Sequence, residues 1–320
     1  MSPPADRGRG SVSTVGLRTP VAGTDHPTPP VTGIGAAGVS GGRRLRNALA
    51  TALMWVAVAI ALVPLAFLVY YVISKGIGIF GWRFLTRPIP LSQRTRGPGM
   101  GPAVLGTMLI TALATLIAVP LGVLGAVYIV EYGAGSRLAR VIRFLGDVMA
   151  GVPSIVMGLF IYTIFVVRVR GYSGLAGSLA LACLMLPIVI RSSESMLRLV
   201  PSDLREASYA LGTSKSRTVL TVVLPAAAAG ILSGCLLAVA RAAGETAPLL
   251  FTIGVVSKAN PNLFSHPNTT LSAQIFTNAS VVYPGAQQRA WGAALTLIGL
   301  VLVLTVVARL VSSRLTLTAR

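Results

Sequence analysis

Six apolar runs, each long enough to cross a bilayer, constrain this chain more than any other feature. They cover about 48–73, 103–130, 144–167, 174–199, 218–246 and 291–311. The chain is 54% hydrophobic and 11% charged, more apolar than a soluble domain can bury. An all-α integral membrane fold with six transmembrane helices follows. The first run is too long for a signal-peptide core and reads as an uncleaved span. Pro120 is expected to kink the second run, and Pro153 to break the third. Residues 1–41, rich in Gly, Pro, Ser and Thr without apolar periodicity, read as a disordered tail. Residues 42–320 form the transmembrane domain.

The formal net charge is +19, from 27 Lys+Arg against 8 Asp+Glu. The positive residues sit mostly at the ends of apolar runs, where lipid headgroups are the natural counterions, so nucleic acid is not a partner. Cys183 and Cys235 lie inside apolar runs and read as packing residues. No His, Cys or carboxylate cluster has metal-ligand spacing, and no nucleophile–base pair or phosphate-cradling Gly-Lys-Ser/Thr motif occurs. No enzyme activity, metal or cofactor is therefore expected of this chain.

Four charges in two of the apolar runs stand out. Arg191 and Glu194 are three apart at the end of the fourth, and Arg241 and Glu245 four apart in the fifth. A charge near mid-bilayer costs about 2.5–3.5 kcal/mol on insertion scales, so these side chains need a protein or aqueous surrounding. Each Arg has an acid on its own helical face, which lowers that cost. Guanidinium groups partly offset by carboxylates suit transient binding of an oxyanion, and structural ion pairing is the competing reading. Asp147 reads as an interfacial or capping acid. Trp82 and Trp291 read as interface anchors, and 247–287 as a long polar loop. Asn268 and Asn278 fit the glycosylation pattern, a match weak enough to set aside.

Between the fourth and fifth runs lies a polar, helix-compatible stretch, 201–225. Pro201 and Ser202 open a short helix, with Asp203 placed well for its positive end. Leu204, Ala207, Ser208 and Leu211 fall on one face, and Gly212 supplies the left-handed residue that ends it. Thr213 or Ser214 caps the next helix. Such a helix at the bilayer surface suits a groove on another protein.

Glu206, Ala207, Ser208, Gly212, Leu224 and Pro225 in this spacing resemble the EAA loop of ABC importer permeases. Ser208 stands where a second Ala is usual. The stretch from Arg241 through Gly244, Glu245, Thr246, Ala247 and Pro248 to Leu250 resembles the RxxGETAPLL signature of the PstA family of phosphate permeases. Pro120-Leu121-Gly122 with Glu131-Tyr132, Pro153-Ser154-Ile155-Val156 and 196–201 match as well, and the likeness covers about 45–315. It implies a MetI-like permease core in the cytoplasmic membrane, translocating inorganic phosphate across the lipid bilayer. It also implies a PstC-like second permease, a PstB-like ATPase dimer docked on the EAA loop, and a PstS-like extracytoplasmic phosphate-binding protein. Positions matching Arg191, Glu194 and Arg241 are associated with transport in that family; Glu245 joins them on motif position and charge.

Sulfate and molybdate permeases share the EAA loop but not GETAPLL, and an ATP-independent secondary transporter also tolerates broken helices and buried charges. Six spans put both termini on one side. Thirteen basic residues on that side against nine on the other give only a weak inward bias. The EAA-like loop, which must face an ATPase, places both termini in the cytoplasm.

Overall fold

The computed structural model describes residues 41–95 and 97–318. The tail expected over 1–41 lies outside the described residues except Gly41, where the first helix begins. In chain order the helices are α1 Gly41–Gly76, α2 Trp82–Thr86, α3 Gly101–Val127, α4 Arg137–Gly151, α5 Ser154–Ile161, α6 Val167–Val169 and α7 Gly174–Arg198. There follow α8 Ser202–Ala210, α9 Lys215–Thr218, α10 Leu224–Ala243, α11 Ala247–Thr252, α12 Leu271–Ala279 and α13 Pro284–Thr318. Three π-turns extend helices: Tyr128–Tyr132 after α3, Tyr162–Val166 after α5 and Val219–Val223 before α10. No strand occurs among the described residues.

The described residues form two units. The first, up to Leu62, is a stretch of α1 with exposed apolar side chains such as Leu53, Trp55 and Ile60, as lipid solvent allows. The second begins at Val63 and holds the rest.

Five helices are each long and apolar enough to span a membrane: Gly42–Gly76, Gly101–Tyr132, Gly174–Arg198, Lys215–Ala243 and Pro284–Val307. The third run differs from expectation. It is not one straight span but two helices, Arg137–Gly151 and Ser154–Val169, bent by 108° at Val152 and Pro153. Proline cannot donate to the helical hydrogen-bond ladder and disfavours a helical residue before it, so the chain turns there. The first of the two carries Arg137, Arg140, Arg143 and Asp147 among Leu138, Val141, Leu145 and Val148, an amphipathic pattern that a straight span lacks. α3, in contrast, continues through Pro120.

α7 is the centre of the second unit. Its buried residues pack against α3 and α10 in one core containing Ile110, Ala118, Leu181, Met185, Val189, Val223, Ile231 and Ala238. Contacts pair Ile110 with Ser178 and Gly122 with Val189, so α3 and α7 run parallel. Gly230 meets Met196 and Gly234 meets Ser192, so α10 runs antiparallel to α7. Small residues at these crossings let membrane helices approach closely, since lipid supplies no hydrophobic drive between them.

The polar loop expected over 247–287 is instead an ordered, partly helical layer. α11 packs on α5, where Gly158 abuts Pro248. α12 packs on α13 and α3, and α13 begins at Pro284, earlier than expected. The layer is polar because it buries hydrogen-bonded groups. Asn278 donates to Gln274 Oε1 at 2.8 Å, Gln274 donates to Thr269 Oγ1 at 3.0 Å, and the Leu271 N–H donates to Thr107 Oγ1 at 2.8 Å. Asn268 and Asn278 are buried, which bars both from glycosylation in the folded chain. Arg289, fully buried on α13, donates to the Thr95 carbonyl at 2.5 Å and the Gln93 carbonyl at 3.3 Å, pinning that loop. Trp291 packs edge-on against Tyr71, with centroids 5.2 Å apart, while Trp82 is exposed.

Candidate translocation site and coupling helix

Arg191 and Glu194 project from the last turns of α7, and both find partners on α4 rather than on each other. Arg191 pairs with Asp147, correcting the capping role expected of that acid and the same-helix pairing expected of Arg191. Glu194, largely buried, accepts from Arg143 Nε at 2.9 Å and from Arg198 Nη2 at 2.7 Å. The pairing is a matter of helix geometry. Arg143 and Asp147 are one turn apart on α4, Glu194 and Arg191 nearly one turn apart on α7, and the helices meet with opposite charges facing. Three arginines share two carboxylates in this group, leaving one formal positive charge. Arg191 stays well exposed, so its guanidinium keeps free donors for an anion.

Arg241 and Glu245 behave differently. The expected pairing is present but loose, with Arg241 Nε 3.8 Å from Glu245 Oε1 and the Arg241 side chain 69% exposed. α10 ends at Ala243, and Gly244, Glu245 and Thr246 form a break before α11. The fifth run thus ends in a break that leads into the short helix α11, and the charged pair sits at the break. Ser272 Oγ donates to the Glu245 carbonyl at 2.8 Å and holds the broken backbone. Extending the α7–α10 register sets Arg191 level with Cys235, and Arg241 six residues, or about 9 Å, further along. The exposed stripe of α10, Ser233, Leu237, Arg241 and Gly244, recurs at helical spacing.

At the other end of α10, α8 and α9 make a short helical pair. α8 ends as its sequence requires: Gly212 has φ 78° in the left-handed region and its N–H bonds the Tyr209 carbonyl. Glu206 and Ala207 are exposed; Ser208 is buried. Leu204, Ala207, Ser208 and Leu211 line one side of an open groove of about 570 Å³ closed by Thr213, Arg217, Thr221 and Val222. Ser214 precedes α9 without capping it, its hydroxyl bonded to Ser216 Oγ at 3.3 Å, and Thr213 turns to Ser208. Leu224 and Pro225 lie past the groove, at the start of α10, Leu224 packed on the core and Pro225 exposed. Pro225 has no N–H to donate, and the preceding π-turn closes through the Leu224 N–H to the Val219 carbonyl.

Sequence reasoning missed a further pair. Glu131, in the π-turn after α3, is only 5% exposed and accepts from Arg205 Nη2 at 2.8 Å and Nε at 3.2 Å. In sequence Glu131 falls in the loop after the second run, where nothing names its partner. The signal was its position, a lone acid directly after an apolar run. Among the described residues, no three His, Cys, Asp or Glu side chains converge as a metal site would need.

A helical membrane core with charges set along its helices and a short helical pair beside α10 fits a transport permease. The family model for the binding-protein-dependent transport system inner membrane component matches residues 118–317. The chain is 41% identical over 278 residues to the phosphate transport system permease protein PstA 1 of Mycobacterium tuberculosis H37Rv, covering 84% of this chain and 88% of that protein. It is 41% identical to PstA of Yersinia pestis, covering 85% and 92%, and 39% identical to PstA of Haemophilus influenzae, covering 84% and 94%. The chain belongs to this inner-membrane permease family and, within it, to the PstA group. Its fold is similar to that of the MetNI methionine ABC transporter in an inward-facing form, with TM-score 0.52, 18% identity, and 66% of this chain and 91% of that one covered. An amino acid ABC transporter gives TM-score 0.51 at 20% identity, covering 66% and 92%.

Proposed function

We propose that this chain is the phosphate-translocating permease subunit of an ATP-driven ABC importer. The observation that carries the proposal is the Arg241–Glu245 pair at the break of α10. Its guanidinium is exposed and loosely held, within a segment whose sequence resembles the phosphate permeases. The names of the relatives, phosphate transport system permeases, support the same substrate over sulfate or molybdate.

Arg191 and Arg241 supply bidentate donors along the path, and Glu194 and Glu245 limit their positive charge so that a bound oxyanion is released. α8 is the contact for an ATPase dimer. Glu206 and Ala207 face outward there, and Gly212 ends the helix sharply. Both termini then lie in the cytoplasm. Among the described residues, the segments this places outside carry Arg83, Arg87, Arg94, Arg168, Arg170 and Lys258 but no Asp or Glu. Such a surface raises the local concentration of an anion. A second, PstC-like permease completes the path, and an extracytoplasmic binding protein delivers phosphate. ATP binding closes the ATPases, moves α8 and opens the path outward; hydrolysis returns it.

The test is uptake of radiolabelled phosphate and sulfate by a phosphate-starved deletion strain, with and without this chain restored. Loss and recovery of phosphate uptake alone are expected. Phosphate uptake indifferent to the deletion, or sulfate uptake restored instead, overturns the proposal.

A further inference from the structure

The short helix α8 is bound to the membrane helices at two points, and neither belongs to the EAA-like motif's exposed face. At the first point Arg205, only 19% exposed, spends nearly all its donors. Two go to Glu131 Oε1, Nη1 donates to the Val200 carbonyl at 2.6 Å, and Nη2 donates to the Leu197 carbonyl at 3.1 Å. One guanidinium thus bridges the π-turn of α3, the C-terminal carbonyls of α7 and α8 itself. At the second point Ser208, Thr213 and Thr218 close a hydroxyl triangle. Its sides are 2.6 Å from Ser208 to Thr213, 2.9 Å from Ser208 to Thr218 and 2.9 Å from Thr213 to Thr218. Thr218 is fully buried and directly precedes the π-turn that leads into α10.

We infer that Glu131 is a positioning residue for coupling: with Arg205 it forms the joint through which displacement of α8 reaches α3 and α7, while the Ser208–Thr213–Thr218 triangle carries the same displacement into α10. A helix attached to its neighbours by long, exposed side chains swings without moving them. A helix held by a buried, multiply bonded ion pair does not, because parting those charges in a low-dielectric surrounding costs more than shifting the packed helix. Each anchor ends on or beside a π-turn, where the helical ladder carries one extra residue and is readily reshaped. The compliance of the unit thus lies in the two π-turns and its stiffness in the anchors. This assignment rests on the reading of α8 as the ATPase contact.

The test uses the complete importer, purified with its ATPase and second permease and reconstituted into liposomes. ATP hydrolysis and phosphate uptake are measured on the same sample. Glu131→Gln keeps an acceptor for Arg205 but removes the charge. The expected result is an intact complex on gel filtration, hydrolysis within about twofold of wild type, and phosphate moved per ATP lowered about tenfold. Thr218→Val, which keeps the shape and removes a corner of the triangle, lowers that ratio about threefold. The exchanged pair Glu131→Arg with Arg205→Glu recovers part of the loss. An unchanged ratio in both single variants overturns the inference. So does Glu131→Gln that only falls apart, or that loses hydrolysis and uptake in equal proportion while Thr218→Val keeps the wild-type ratio. Wild-type chain that brings no ATPase with it overturns the reading of α8 instead.

Discussion

Two arginine–glutamate pairs in this chain sit in opposite surroundings. Glu131 is buried and Arg205 largely covered, bonded at 2.8 Å and backed by main-chain carbonyls. Arg241 and Glu245 stand 3.8 Å apart, with the arginine largely exposed. The first pair has satisfied its donors internally and has nothing left for a ligand. The second has spent little. Surroundings, not residue type, separate the proposed joint from the proposed binding group, because a buried charge must be fully partnered while an exposed one is free to exchange partners. The α4–α7 group is intermediate: Glu194 is buried and shared, Arg191 paired but accessible.

Breaking the buried pair is the most damaging test of this contrast. Arg205→Ala leaves the Glu131 carboxylate without its counterion, and the expected loss is about 3–5 kcal/mol. The apparent melting midpoint of the purified complex then falls by about 10 °C, measured by tryptophan fluorescence. A midpoint unchanged within error would erase the difference between the pairs. The exposed pair is expected to fail in activity rather than stability. Arg241→Gln should cut phosphate uptake about 100-fold, near 3 kcal/mol of lost ionic hydrogen bonding, with the melting midpoint unmoved. Disassembly of the complex in that variant would make this pair structural too.

Smaller effects sharpen the same point. Asn278→Ala leaves the Gln274 carbonyl short of a donor in a buried layer, for about 1–2 kcal/mol of destabilisation on the same thermal assay. Arg198→Ala removes an exposed, same-helix partner from a glutamate that keeps Arg143, and should cost less than about 0.5 kcal/mol. Arg143→Ala, measured alongside, should cost more than Arg198→Ala; the reverse order would show that the α4–α7 link contributes little.

Apolar length alone located the five helices long enough to span, though not the bend in the third run, and the EAA-like spacing located α8 and its terminal glycine, because these are local properties of the chain. Partner choice was not local. Arg191 and Glu194 looked like a pair at helical spacing, yet both turn to α4, whose path depends on the 108° bend at Pro153. The burial of Asn268, Thr269, Gln274 and Asn278 was hidden for a similar reason. Polar sequence reads as solvated loop, whereas here it forms a hydrogen-bonded layer packed on α3 and α13. Glu131 read as a loop acid because its arginine lies 74 residues away.

On the function proposed above, nucleotide-driven motion of α8 moves phosphate past Arg241. The most direct measurement is phosphate flux into liposomes holding the complete importer, with binding protein and labelled phosphate outside and ATP or no nucleotide inside. Accumulation is expected only with ATP, and is abolished by Arg241→Gln while the complex stays assembled. Flux of wild-type size without nucleotide, or through the Arg241→Gln complex, would contradict it.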